Sequence, residues 1–498
     1  MPGYAPEAAF ARAREAFAEI EGWLDGAQAA GLEHGALEEQ LEARGREVLR
    51  LLLQDHLDLR AAREQRHKSV TGPDGVTRTR AEAGHARPLA TVFGPVTVSR
   101  IAYRAPGAGN AHPADAELNL PPGKHSHGLS RKVAAGAARG SFGQACADVT
   151  RATGSLMGKR QAQELTRQAA ADFAEFYAGP GHRPPPGSGP GDVLALSCDG
   201  KGIVVLPEAM RRDTARKAGK KPGPKQDGRL SRGEVRNRKR MAEVGAVFDI
   251  TPVPRTTADI LPGPGPRPGP PPAAPKARRK WVTASIAATA ADVVASVFAE
   301  AARRDPDGRR TWIALADGNV HQLDRIRAEA AARNVPVTII CDFIHVIEYL
   351  WTASWSFFPE ASPDAGPWVR GHAAAILDGH AAAVAAAIRA AAAGPISKAK
   401  RRAAEKTARY LEVKAPYLDY PAALAAGWPI SSGVIEGTCR HLVKDRMDIT
   451  GARWGVATAE AVLQLRALHA NGDFDDYWTH HRQRELERNY EPSYRLAA

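Results

Sequence analysis

The spacing of apolar positions changes several times along the 498-residue chain, and each change marks a new element. From about Ala5 to Arg63, residues such as Phe10, Phe17, Ile20, Leu24, Leu49, Leu53 and Leu57 recur at helical spacing between charged positions. They predict a helical N-terminal region over residues 1–64. Between Arg87 and Arg104 the runs PLATVF and VTVSRIAY flank Gly94-Pro95 and read as a β-hairpin, followed by a turn-rich connector, within 65–128. Helical spacing returns over 129–179, where Thr153-Gly154-Ser155 interrupts two helical stretches and makes a candidate helix-turn-helix. The Pro/Gly-rich run GPGHRPPPGSGPGD then predicts a linker at 180–191.

In the second half, short apolar runs alternate with helices over 192–351. DVLALSC predicts a buried strand ending in Asp199, followed by a glycine turn and a second apolar run; EVGAVFDI and WVTASI follow as strands, with a helix over Thr289–Arg304. WIALA leads to Asp317 and a helix over His321–Arg333, and PVTIIC leads to Asp342, with His345 three residues on. Residues 352–428 are Ala-rich and predict an all-α insertion; 429–480 predict helices that close the module, and 481–498 a tail. In the closing stretch, Ser431 and Ser432 are expected to cap a helix ending at Gly451. On it Glu436, Arg440 and Lys444 share one face, while Cys439, Leu442 and Val443 turn toward a core. The fold class expected is multidomain α+β.

A net charge of +13 points to a polyanionic partner, and the charge is clustered. A basic insertion at 208–242, which includes Arg238, Lys239 and Arg240, suits contact along a nucleic-acid backbone. On the second helix of the candidate helix-turn-helix, Lys159, Arg160, Gln161, Gln163 and Arg167 are residue types that reach phosphates and base edges. Cys146, Cys198, Cys341 and Cys439 form no CxxC pair, which argues for buried thiols rather than a zinc site or disulfides. The chain opens with no basic-then-apolar leader and holds no apolar run of about 20 residues, so a cytoplasmic protein without a membrane partner is expected. Few aromatics (6%) weigh against a sugar cleft built on paired carboxylates.

Acids at the carboxyl ends of neighbouring strands converge on one crevice, so Asp199 and Asp317 can face each other, with Glu436 brought in from the late helix. Three carboxylates suit two divalent ions, Mg²⁺ or Mn²⁺, acting on a phosphodiester.

The stretches CDGKG, ADGNVHQ, CDFIHVIEYLW, SSGVIEGTCRHLVKDRMDITGARW and AEAVLQLRALHANGDFDDYW resemble the motif series of ISKra-type bacterial insertion-sequence transposases. TVFGPVTVSRIAYR, LNLPPGKHSHGLSRKVA and GSFGQA are similar to the N-terminal half of that family. The resemblance implies a DDE transposase with a helical and β-hairpin DNA-binding half and an RNase H-like core. It implies Asp199, Asp317 and Glu436 as metal ligands, with Asp342 the alternative to Asp317, and Asp342 and His345 as a pair ordering the site. Arg440, Lys444 and Arg453 would contact phosphate. The implied partners are the element's ends and target DNA, met by a homodimer or larger assembly at the bacterial nucleoid. A structure-specific nuclease or resolvase, and a non-catalytic DNA-binding protein, are the alternative readings.

Overall fold

The computed structural model describes residues 9–179, 182, 192–219, 239–263, 269–270, 272–449, 451–491 and 494–497. The chain divides into two compact units, Met1–His182 with Gly472–Ala498, and Arg183–Asn471. Residues 183–191, most of the expected linker, lie outside the described residues, as do 220–238 of the basic insertion, Arg238 among them.

In the first unit, helices Ala11–Leu24 and His34–Arg63 precede strands β1 (Ser69–Thr71), β2 (Thr77–Arg78), β3 (Arg80–Thr91) and β4 (Gly94–Arg104). The expected hairpin is β3–β4, and its pairing begins earlier than the apolar runs suggest, at Arg80 opposite Arg104. Leu57, Leu89, Val96, Val98 and Leu120 form the core between the long helix and this hairpin. Helices His127–Arg139, Phe142–Thr153 and Lys159–Ala169 close on a second core of Leu129, Val133, Cys146, Val149, Ala162 and Leu165. The expected C-terminal tail holds regular structure among its described residues. Residues 481–490 belong to helix Phe474–Tyr490, whose His481 meets the buried Asp172 at 2.6 Å, and the last strand, Arg495–Ala497, pairs with β1. Its charged composition hid the inward positions His481 and Tyr490.

The second unit holds a five-stranded mixed sheet. Its strands are β5 (Val193–Val204), β6 (Lys239–Ile250), β7 (Ala277–Ser285), β8 (Trp312–Ala316) and β9 (Val337–Cys341), in the order β7-β6-β5-β8-β9. β6 runs antiparallel to both β5 and β7, and β5, β8 and β9 are parallel. Val193–Cys198 is buried throughout, as expected of a strand covered on both faces, so its sequence is a continuous apolar run rather than an alternation. Helix Ala290–Arg304 lies on one face, capped by Thr289, whose hydroxyl accepts the Asp292 N–H. Gly245 permits that approach, since a β-carbon there would stand 2.4 Å from Val297. The edge strand β7 is clamped by helix Val456–Asn471, with the Asn471 amide bonding both Val282 N–H (2.8 Å) and Val282 C=O (3.0 Å). Residues 352–428 are helical as expected, with helices Ala365–Leu377, Ala381–Ala392, Lys398–Lys414 and Tyr420–Ala425 following Phe343–Phe357.

At the amino end of β5 the sheet is closed by buried charge. Asp249 pairs with Arg279 (2.6 Å) and Arg310 (2.5 Å), and Arg304 with the fully buried Glu300 (2.7 Å). Asp249→Ala would leave Arg310 buried without its carboxylate, and a loss of about 3–5 kcal/mol is expected in urea unfolding. Burial opposes ionisation of Asp305, but the Trp312 indole N–H and the Arg309 and Arg310 backbone N–H groups outweigh it and hold its pKa below the usual 3.8. Its stabilisation is therefore complete above pH 3.8 and is lost as pH falls through the depressed value. Asp305→Asn is expected to flatten that acid limb in thermal melts followed against pH.

Candidate active site

Asp199 lies within a strand, not at its end. The expected turn at Gly200 is absent: β5 runs on to Val204, paired with β6 residue by residue as far as Lys239. Full-length pairing holds the glycines extended, and the Met241 and Lys239 side chains lie over Gly200 and Gly202. The parallel pairing with β8 ends where Ser197 faces Leu315. Asp199 lies two residues past that last pair, still on β5, and Asp317 lies just beyond the end of β8, where both acids line one cavity. This is also where strand order reverses, the position at which open sheets form a crevice.

Asp317 opens a tight turn, its Oδ1 accepting the Asn319 N–H at 2.7 Å. Gly318 has φ +88°, and a β-carbon there would meet the Tyr410 hydroxyl at 3.1 Å and Cys341 Sγ at 3.4 Å, so no other residue fits. Asp199 and Asp317 line a cavity of about 380 Å³ with Glu243, His321, Gln322 and Arg325. Burial raises the pKa of Glu243, against the pull of Arg211 and Arg325.

Glu436 sits on helix Gly433–Thr438, which continues through a π-helical turn, Cys439–Lys444, into Asp445–Met447. The helix ends at Met447, short of Gly451. Glu436, Arg440 and Lys444 are exposed while Cys439, Leu442 and Val443 are buried, the division that their spacing indicates. Cys439, first in the π turn, donates its thiol to Asp199 Oδ2 at 3.4 Å and so ties this helix to β5. Burial and the Asp199 charge raise its pKa far above the usual thiol value. Burial likewise pushes Cys198 and Cys341 up to about 12, so all three remain protonated at neutral pH, as expected of buried thiols.

The start of the Glu436 helix departs from expectation. Ser432 does not cap its own helix; its hydroxyl donates to Asp342 Oδ2, which also accepts the Ser432 N–H at 2.9 Å. Asp342 Oδ1 takes the Ile344 N–H at 2.7 Å, capping Phe343–Phe357. A fully buried carboxylate satisfies its lone pairs with the nearest donors, and here those donors belong to another segment. Backbone bonds from Asp342 N to Ala316 O (2.8 Å) and Phe343 N to Ile430 O (2.9 Å) reinforce the junction.

Among the described residues, one trio of ligand-type side chains brings its ligand atoms within 4.8 Å of one another, namely Asp342, His345 and Glu436. Asp199 and Asp317 do not join Glu436 at that distance. Both Asp342 oxygens are already engaged by protein donors, so Glu436 and His345 keep the open lone pairs in the trio. His345 Nδ1 meets Glu348 at 3.0 Å. Burial alone would lower the His345 pKa, but the Glu348 hydrogen bond and the Asp342, Glu348 and Asp317 charges outweigh it, so the net shift is upward. Two buried oxygens beside the acids, Gln322 Oε1 and the Tyr410 hydroxyl, have no hydrogen-bond partner among the described residues. Asp342, His345 and Glu436 form a cluster of the kind that can hold a metal ion.

Lys201 escaped the sequence reading. Two residues beyond Asp199 on the same strand, it shares that face, and its charge acts on the Cys439 thiol. The signal was present in CDGKG but needed the strand to be read as continuous. Gln322 and Tyr410 carried no local signal.

The basic residues divide. Arg440, Lys444 and Arg453 are exposed, and Arg453 stands next to Trp454, which extends β5 through Trp454 N–Val204 O (3.2 Å) and Leu206 N–Trp454 O (2.9 Å). Lys239 is exposed at the start of β6. Arg240 is no free cation for a phosphate: its guanidinium is bonded to the carbonyls of Ile286 (2.9 Å) and Ala209 (3.4 Å). Part of the basic insertion also forms a helix, Arg212–Gly219, where none was expected. In the first unit, helix Phe142–Thr153 turns at Gly154 (φ +68°) into Lys159–Ala169. Lys159 and Arg160 are exposed, Gln163 is half-buried, Gln161 accepts the Gly158 N–H at 3.0 Å, and Arg167 is paired with Glu164.

Ser432→Ala removes one of the three donors to Asp342, and a loss of about 1.5–3 kcal/mol is expected in denaturant unfolding. No protein-family model matches the chain, and no curated protein matches it.

Proposed function

We propose that this protein is a DNA transposase of the DDE type, with an RNase H-like catalytic unit that cuts and joins the ends of its own element. The observation that carries the reading is that Asp199 and Asp317 line one cavity where the strand order of the sheet reverses, with the Glu436 helix tied to Asp199 through Cys439 and to Asp342 through Ser432. The strand order, with three antiparallel strands followed by two parallel ones, supports the fold assignment. The resemblance in motifs supplies the family.

Asp199, Asp317 and Glu436 would hold divalent ions, with His345 beside them. When bound, such ions activate a water or 3′-hydroxyl and stabilise the leaving oxygen of the phosphodiester. The chain's own groups do the rest. Cys439 orients the Asp199 carboxylate, and Asp342 fixes where Glu436 starts. Lys201, Arg440, Lys444 and Arg453 supply positive charge along the rim for a phosphate backbone. Lys159 and Arg160 offer the exposed charge of a helix that can enter a groove.

Labelled DNA carrying the element's ends, incubated with Mg²⁺ or with EDTA, tests the reading. Strand transfer is expected with Mg²⁺ only, and is expected to vanish in Asp199→Asn, Asp317→Asn and Glu436→Gln while DNA binding persists. Asp342→Asn is expected to cost about 10–100-fold, the loss typical of a group that supports a ligand. Binding without metal-dependent cleavage overturns the catalytic reading, and cleavage without joining moves the protein to the nucleases.

A further inference from the structure

One apolar side chain of the first unit stands far outside the range of all the others. Among the described residues, every other exposed large hydrophobic side chain is 38–54% exposed, and Leu156 is 85% exposed. It occupies the turn between helices Phe142–Thr153 and Lys159–Ala169, and that turn is firmly held. Gly154 takes φ +68°, the Ser155 N–H donates to Thr153 Oγ1 (3.2 Å), the Ser155 hydroxyl to Thr91 O (2.9 Å) and the Thr150 hydroxyl to Ser155 O (3.2 Å). On the other side of Leu156, Met157 packs on the core that holds Leu129, Val149 and Leu165. Both flanking residues are fastened inward, so the backbone projects Leu156 into solvent at a fixed place. A side chain presented on so well-held a backbone loses little freedom when it binds.

The charge around it is of one sign. Residues 151–160, RATGSLMGKR, hold Arg151, Lys159 and Arg160 and no acid. The acids on the two helices are already engaged, Asp148 with Arg151 and Glu164 with Arg167. Lys159 and Arg160 are exposed and have no acidic partner among the described residues. Arg46 of the long helix, itself paired with Glu42, brings a guanidinium nitrogen to 4.0 Å from where a β-carbon on Gly154 would lie. A polyanion suits this surround.

A leucine among cations has one matching group on duplex DNA. The major groove presents hydrogen-bond donors and acceptors together with a single apolar substituent, the 5-methyl of thymine. Lys159 and Arg160 open the helix that follows the turn, so they meet phosphates or base edges next to the point that Leu156 reaches. We propose that Leu156 is a specificity-determining residue, which packs on a thymine methyl in the major groove and makes the protein require a T·A pair at one position of its site.

The inference rests on the DNA-binding part of the proposed function and not on its catalytic part, so it is tested on the full chain in EDTA. Duplexes selected by wild type from a random library are expected to share a T·A pair that is lost from those selected by Leu156→Ser. On the selected duplex, deoxyuridine in place of that thymine removes only the methyl. It is expected to weaken wild-type binding about 4-fold, the effect of one buried methyl group, and to leave binding by Leu156→Ala unchanged. Leu156 touches too little of its own chain to alter folding, so both variants are expected to melt as wild type does. A wild type that binds no duplex overturns this inference together with the DNA-binding reading. Selection of the same sites by wild type and Leu156→Ser, or an equal loss from deoxyuridine in wild type and Leu156→Ala, overturns the inference alone.

Discussion

The second unit depends on the burial of one carboxylate. Asp342 is wholly excluded from solvent, and a buried charge is tolerated only when donors surround it. Ile344 supplies one from its own helix; the other two come from Ser432, ninety residues later. That requirement fixes where the Glu436 helix begins relative to the end of β8. It also explains how a long helical block can sit between strand β9 and the Glu436 helix without disturbing either. The block leaves at Phe343 and returns at Ile430, and those two residues are joined by a backbone hydrogen bond.

The two ends of the sheet treat charge in opposite ways. At the amino end of β5, Asp249 and Glu300 are matched by arginines, and the result is structural. At the other end, Asp199, Asp317 and Glu243 line one cavity with Arg325, and Arg440 and Lys444 on the Glu436 helix are exposed. The thiol of Cys439 and the hydroxyl of Ser432 hold Asp199 and Asp342 in place without adding positive charge.

Much of this arrangement was legible in the chain. Continuous apolar runs ending in acids gave β8 and β9 closely, because a strand covered on both faces needs such a run. The helix spacing of Glu436, Arg440 and Lys444 gave the correct exposed face. Three readings failed for identifiable reasons. Gly200 and Gly202 imitate a turn, but a partner strand paired along the whole of β5 holds them extended. Ser432 imitates a helix cap, but the buried Asp342 competes for its hydroxyl. Arg240 imitates a surface cation, but two carbonyls at the end of its strand take its guanidinium.

The sequence by itself determined most of the elements, the acids that follow β8 and β9 and the division between acidic and basic segments, because period and composition act locally. Tertiary structure alone decided which acids meet. The sheet brought Asp199 and Asp317 to one cavity, and Asp342 rather than either of them lies with Glu436 and His345. Tyr410 and Gln322 arrived from elements whose local sequence says nothing about a site. Such pairings arise from the demand that each buried polar group find a partner, and which partner it finds depends on distances in space that no local pattern encodes.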